Sequence, residues 1–339
     1  MSLWWVGGYG ADMGGTLPGI QAMRSTDAGT LELVATAVEA LSPSYLLQRG
    51  EHLYAVAEGA GTVDSFRRSG EHALVRDGSA PSGGVWPCSL EFFAGGLAAA
   101  NYFDGSVALI GLADGAVSTL LAADQGDGTG PHERQGGPHA HAVFAVDEST
   151  LLSADLGSDR ILVHGVGLET AASLVLPPGT GPRDIVRHPS GLLYVLGELS
   201  NELFVLRWTG AELELVSSVA LPGALEGDGG SAISFGAGGR HVYAGLRGSN
   251  RIATLRASDD GAQLEPLGWV SSEGDHPRHH AIDGDVLHVA NQLSDSVASF
   301  RLGTDGLPRL IADPVRVPSP NYLLRDARMD LAHAEPLLK

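Results

Sequence analysis

Cysteine and lysine are almost missing from this 339-residue chain, which has Cys88 as its one cysteine and Lys339 as its one lysine. A single thiol cannot close an internal disulfide or supply a cysteine-based zinc site. That suits a reducing compartment, and the cytoplasm is the expected location. No apolar run approaches the ~18 residues of a spanning helix. The short run in residues 1–9 is broken by Gly7 and Gly8 and has no basic flank, so neither a signal peptide nor a membrane span is expected. Basic residues are few, 21 Lys+Arg against 40 Asp+Glu, for a formal net charge of −19. Such a surface repels phosphate backbones and anionic lipid, which argues against nucleic-acid and membrane partners. There is no G-x-S-x-G elbow, P-loop, dinucleotide glycine fingerprint or H-E-x-x-H pair, so serine-hydrolase, NTPase, Rossmann and zinc-protease readings fall.

Glycine, by contrast, is abundant at 47 residues, without the G-x-y period of collagen. That is about twice the usual share of roughly 7% and fits a turn-rich β protein. With Lys339 the one lysine, arginine stands where other chains use either residue, so an isolated arginine is weak evidence of planar anion recognition.

One phrase recurs along the whole chain: an apolar strand, a polar turn with Gly, Ser or Asp, then a second apolar strand. It reads LYAVAE and GTVDSF at 53–66, LAAANY and GSVAL at 97–109, and LLSADL and SDRILV at 151–163. It returns as LYVLGE and SNELFV at 193–205, HVYAGLR and SNRIA at 241–253, and LHVANQ and SDSVASF at 287–300. Residues 4–9, WWVGGY, repeat its first half, which makes seven copies. Strand–turn–strand units at a period of roughly 40–50 residues predict a β-propeller of four-stranded antiparallel blades. The expected fold is all-β, with one seven-bladed domain over residues 1–324 and a tail at 325–339. To close the ring, a C-terminal strand at 313–317 or 320–324 should share a blade with the N-terminal strand. Helix is expected only as a short segment after Tyr322.

Two motif pairs carry a family resemblance. GPHAHAV at 137–143 precedes ADLGSDR at 154–160, and GPRD at 181–184 with HPSG at 188–191 precedes YVLGELSN at 194–201. Pro277-Arg278 with ANQLSD at 290–295 is a third match. Over residues 3–324 the chain resembles the seven-bladed propeller lactonases, a family that includes bacterial 6-phosphogluconolactonases and fungal carboxy-cis,cis-muconate cyclases. It departs from the pattern at Asp184, where members usually carry His, and at Ser231-Ala232-Ile233, where an acidic residue is usual.

Propeller geometry places the start of each innermost strand and the end of the next strand on one face. That gathers Cys88, His139, His141, Arg183, Ala232 and Arg278 with Glu58, Asn101, Asp155, Glu198, Arg247 and Asn291 around the channel mouth, a natural ligand site. His139 and His141, two apart, should point the same way on a strand. With Asp155 or His132 they would offer a metal site, but no motif supports one and the resemblance implies no cofactor. The resemblance implies His141 as catalytic histidine, with Arg183, Glu198 and Arg247 functional. We expect His141, Glu198 and Arg183 in catalysis, and Arg247, His139, Arg278, Asn101, Asp155 and Asn291 in substrate binding. Among the other histidines, His188 reads as part of a turn and His279 as reaching the mouth. The insertion at 126–137, with Asp124, Asp127 and Glu133 on or beside it, reads as a flap or a cation loop. The expected activity is hydrolysis of an anionic sugar lactone, 6-phosphogluconolactone first, by a monomer. The alternatives are muconate lactonisation, a different lactone, or a propeller that only binds a protein or sugar.

Overall fold

The structure, a computed structural model, describes residues 2–326. Each phrase folds as a hairpin: His52–Ala57 runs against Thr62–Arg68, and Leu193–Gly197 against Glu202–Trp208. Adding one strand on either side of each hairpin gives seven antiparallel sheets. The first strands of successive sheets touch one another around the ring, so they line the central channel.

The ring closes as expected. The C-terminal strand Pro320–Arg325 pairs with Leu3–Gly8 and becomes the innermost strand of the blade completed by Gly19–Ser25 and Leu31–Glu39. The alternative segment, Val315–Arg316, instead pairs with Ser296 and Val297 of the last blade. The strand runs through Arg325, and buried Asp326 accepts a hydrogen bond from Arg68 at 2.7 Å. No helix follows Tyr322 up to that point, and residues 327–339 of the expected tail lie outside the described residues.

The core lies between blades. Each apolar cluster draws on two neighbouring sheets; at the closure Trp4, Val6, Met23 and Leu323 pack on Ala290, Val297 and Val317. Small residues such as Ala98–Ala100, all fully buried, let the sheets approach closely near the axis.

A repeated irregularity positions the site. Pro87 pairs with Asn101 but Ser89 with Ala100, so Cys88 is bulged out of the ladder. The same shift skips His141, Arg183 and Arg278 on the innermost strands of their blades. A bulge re-aims its extra residue, and here successive bulges deliver these side chains to the channel. The bulge also breaks the simple alternation by which His139 and His141 would share a direction.

Candidate active site

Glu198 follows the second strand of its blade and is 1% exposed, yet three guanidinium groups converge on it. Arg183 Nε lies 2.8 Å and Arg247 Nη2 2.9 Å from Oε2, and Arg134 Nη2 lies 2.6 Å from Oε1. Burial alone would raise the Glu198 pKa, but Arg247 and Arg183, with Arg134 behind them, hold the carboxyl well below the usual carboxylate range. Arg247 also donates to the carbonyls of Gly229 and Gly230. Arg183 makes no other ion pair or hydrogen bond among the described residues, so its terminal N–H groups are available in the channel it lines.

A second carboxylate stands across the channel. Glu58 accepts hydrogen bonds from the Ser44 hydroxyl and, at 3.0 Å, from the Tyr9 hydroxyl, which in turn accepts one from Arg278 Nη2 at 2.7 Å. Burial pushes the Glu58 carboxyl up, and Arg278 and the two hydroxyls oppose that shift.

His141 belongs to both cavities at this point. One opens at the mouth, while the other continues down the channel; they share Glu58, Cys88, His141 and Arg278. The Cys88 thiol, kept protonated by burial, donates to the His141 carbonyl oxygen at 3.4 Å and fixes the backbone there. No described residue hydrogen-bonds the His141 ring, which meets Tyr102 edge-on at 5.6 Å. Burial, then the nearby Arg183 charge, hold its pKa well below the usual imidazole value, so the ring is neutral.

The structure therefore brings together Glu58, Cys88, His141, Arg183, Glu198, Arg247 and Arg278, with Ala232 on the channel wall. It does not bring Asn101, Asp155, Asn291 or His139 to that cavity. Asn101 and Asn291 pair with Pro87 and Pro277, one residue short of the lining position, and donate to the carbonyls of Ser82 and Ser272. Asp155 caps a turn, accepting from the backbone N–H groups of His139 and Gly157 and from the Ser158 hydroxyl. One residue along a strand reverses the side chain, so the lining counterpart of Glu198 is Tyr102 rather than Asn101. His139 stacks on Tyr102 at 4.7 Å, with Nδ1 2.7 Å from that residue's carbonyl oxygen. A metal shared by His139, His141 and Asp155 has no geometry here.

His279 reaches the channel, stacked on Tyr322 at 4.0 Å, below the mouth. His188 stacks on Tyr194 and bonds Ser190, as its turn motif implied. Asp184 accepts the N–H of Ile233 from the next blade, a tie across the site of the missing acidic residue. In the 126–137 insertion, the acidic side chains diverge: Asp124 accepts from Thr170, and Asp127 pairs with Arg160. Gln135 is fully buried and donates to Leu156 and Asp159, which anchors the loop and delivers Arg134 to Glu198. Arg134, Tyr9, Ser44 and Tyr102 are among the residues sequence reasoning missed. Ser44 lies just before the first strand of its blade, Leu46–Arg49, whereas Arg134 has no periodic signal.

The fold is a closed propeller whose channel mouth holds a half-buried imidazole among arginines. Residues 4–324 match the family described as "Lactonase, 7-bladed beta-propeller", and the chain belongs to that family. It is 33% identical over 207 residues to a 6-phosphogluconolactonase of Bacillus subtilis, covering 57% of this chain and 59% of that one. An uncharacterized protein of Lactococcus lactis is 28% identical over 82% of this chain and 86% of its own. Among solved structures, the Pseudomonas aeruginosa periplasmic gluconolactonase PpgL superposes with TM-score 0.89 and 27% identity, covering 96% of this chain and 99% of that one.

Proposed function

We propose that the channel mouth hydrolyses the lactone of an anionic sugar acid, with 6-phosphogluconolactone as substrate and 6-phosphogluconate as product. The observation that carries this reading is the convergence of the His141 ring, which no described residue hydrogen-bonds, with Arg183, Arg247 and Arg278 at one channel mouth in a chain of net charge −19. The relatives support it: one is a 6-phosphogluconolactonase and another a gluconolactonase.

In this mechanism His141 takes a proton from water as its oxygen attacks the ring carbonyl. The tetrahedral oxyanion is met by the free N–H groups of Arg183. On collapse the carbonyl re-forms, the ring C–O bond breaks, and the imidazolium returns the proton to the departing ring oxygen. Arg247 and Arg278 hold the phosphate or carboxylate, and Glu198 orients Arg183, Arg247 and Arg134 instead of moving protons. A positioned base contributes about 10²–10⁴-fold, and one oxyanion donor about 10²–10³-fold. That suffices for lactones, which already open unaided.

The test is continuous detection of acid released from 6-phosphogluconolactone, δ-gluconolactone and a muconolactone, each against its spontaneous rate. Acceleration of the phosphorylated lactone above the others is expected. Acceleration of none would turn the reading to a binding module. The same proposal takes the enzyme as a cytoplasmic monomer. Since PpgL is periplasmic, cell fractionation checks the compartment.

A further inference from the structure

The mouth has an apolar wall that the mechanism above leaves unused. Met13, Trp86 and Tyr102 line the same cavity as His141, Arg247 and Arg278. Trp86 is 37% exposed and packs edge-to-face at 5.0 Å on Phe103, itself 57% exposed. Of the other tryptophans, Trp4 and Trp5 are buried, and Trp269, exposed on an outer strand, carries the Arg251 guanidinium over its ring at 3.8 Å.

The backbone makes Trp86 costly in a second way. Its carbonyl accepts the N–H of Tyr102, and corresponding carbonyls elsewhere include those of Ser42, His139, Gly181, His276 and Ser319. Of these six positions all but His139 have positive φ, +58° at Trp86, so this turn usually takes a left-handed residue. Glycine meets that demand freely, whereas a bulky side chain there is a rare and strained choice. The turn accounts for the left-handed backbone at Trp86 but not for an exposed indole there. The indole's place on the wall of the mouth does, because sites commonly set an apolar face against a few convergent polar groups.

We propose that Trp86 is the platform for the substrate ring: the C–H face of a sugar lactone lies on the indole, while the arginines opposite hold its anionic end. The inference rests on the lactonase reading for the chemistry at His141, but the platform can be tested without turnover. Trp86 would then set affinity for the ring whether or not the sugar is phosphorylated, and the arginines would set the preference for charge.

Trp86→Gly and Trp86→Phe test this in the full chain, with gluconate and 6-phosphogluconate as non-reacting probes. Both probes should change the wild-type tryptophan fluorescence, and the change should vanish in Trp86→Gly. KM for δ-gluconolactone and for 6-phosphogluconolactone should both rise by roughly tenfold in Trp86→Gly, with kcat within about twofold. Trp86→Phe, which keeps an aromatic face, should hold KM within about threefold of wild type. Because glycine suits the backbone, the melting temperature should stay within about 4 °C. Unchanged KM in Trp86→Gly, or a probe response that survives the substitution, overturns the platform while leaving the lactonase reading intact. A probe response lost in Trp86→Gly, from a protein that hydrolyses no lactone, upholds the platform and overturns the lactonase reading.

Discussion

At His141, burial beside Arg183 weakens the imidazole as a base but keeps it in the free-base form. An ordinary histidine, with a pKa near ~6.5, would be mostly protonated at pH 5.5. A depressed pKa moves that loss to lower pH, so kcat/KM for δ-gluconolactone, which has no titrating phosphate, should be flat from about pH 7.5 down to about pH 5.5. A fall centred near pH 6.5 would mean that the working base is not this residue. Glu198 is the other residue on which the site depends. Glu198→Gln would leave Arg183 and Arg247 buried without their counter-charge, and unfolding in denaturant should show a loss of roughly 3–5 kcal/mol. His141, Arg183, Glu198 and Arg247 were all legible from short motifs. Arg134 was not, because a side chain reaching in from an irregular loop leaves no period to read.

On the strands, the informative error is one of register. Placing Asn101, Asp155 and Asn291 with Glu198 assumed that any polar residue near the end of the second strand faces the channel. The pairing shows that the lining position comes one residue later, at Glu58, Tyr102, Glu198 and Arg247, and that the earlier position closes the turn. The offset was legible in the repeat itself, where Glu58, Tyr102 and Glu198 end their phrases and Asn101, Asp155 and Asn291 come one residue earlier, whereas the bulges are backbone events that the sequence does not show. The correction predicts that Asp155→Ala, which removes the acceptor for His139, Gly157 and Ser158, lowers stability by about 1–3 kcal/mol and leaves KM unchanged. A large rise in KM with an unchanged melting temperature would return Asp155 to the binding site.

Over the whole molecule, the blade count and the closure followed from seven copies of one phrase, because each blade buries its faces only against its neighbours. Pro320–Arg325 supplies the inner strand of the closing blade, with Leu323 2% exposed. Deleting residues from 320 onward should therefore abolish cooperative thermal unfolding, not merely lower the midpoint. Acid should weaken the fold as well. His280, which donates to the Tyr243 carbonyl, and His288, packed on Trp4, are each pushed down to about 4 by burial. Below about pH 6.5 the unfolded chain takes up these protons and the folded one does not, so the stability these residues contribute at neutral pH is lost as pH falls toward about 4. In a His280→Asn/His288→Asn variant the melting temperature should depend less steeply on pH across that window.

The central claim is that a neutral His141, set among arginines, opens a lactone ring. The most direct measurement compares 6-phosphogluconolactone hydrolysis by the wild type and by His141→Ala, each against the spontaneous rate. The account predicts clear acceleration by the wild type and a loss of about 10²–10⁴-fold in kcat for the folded variant. A variant as fast as the wild type would contradict it.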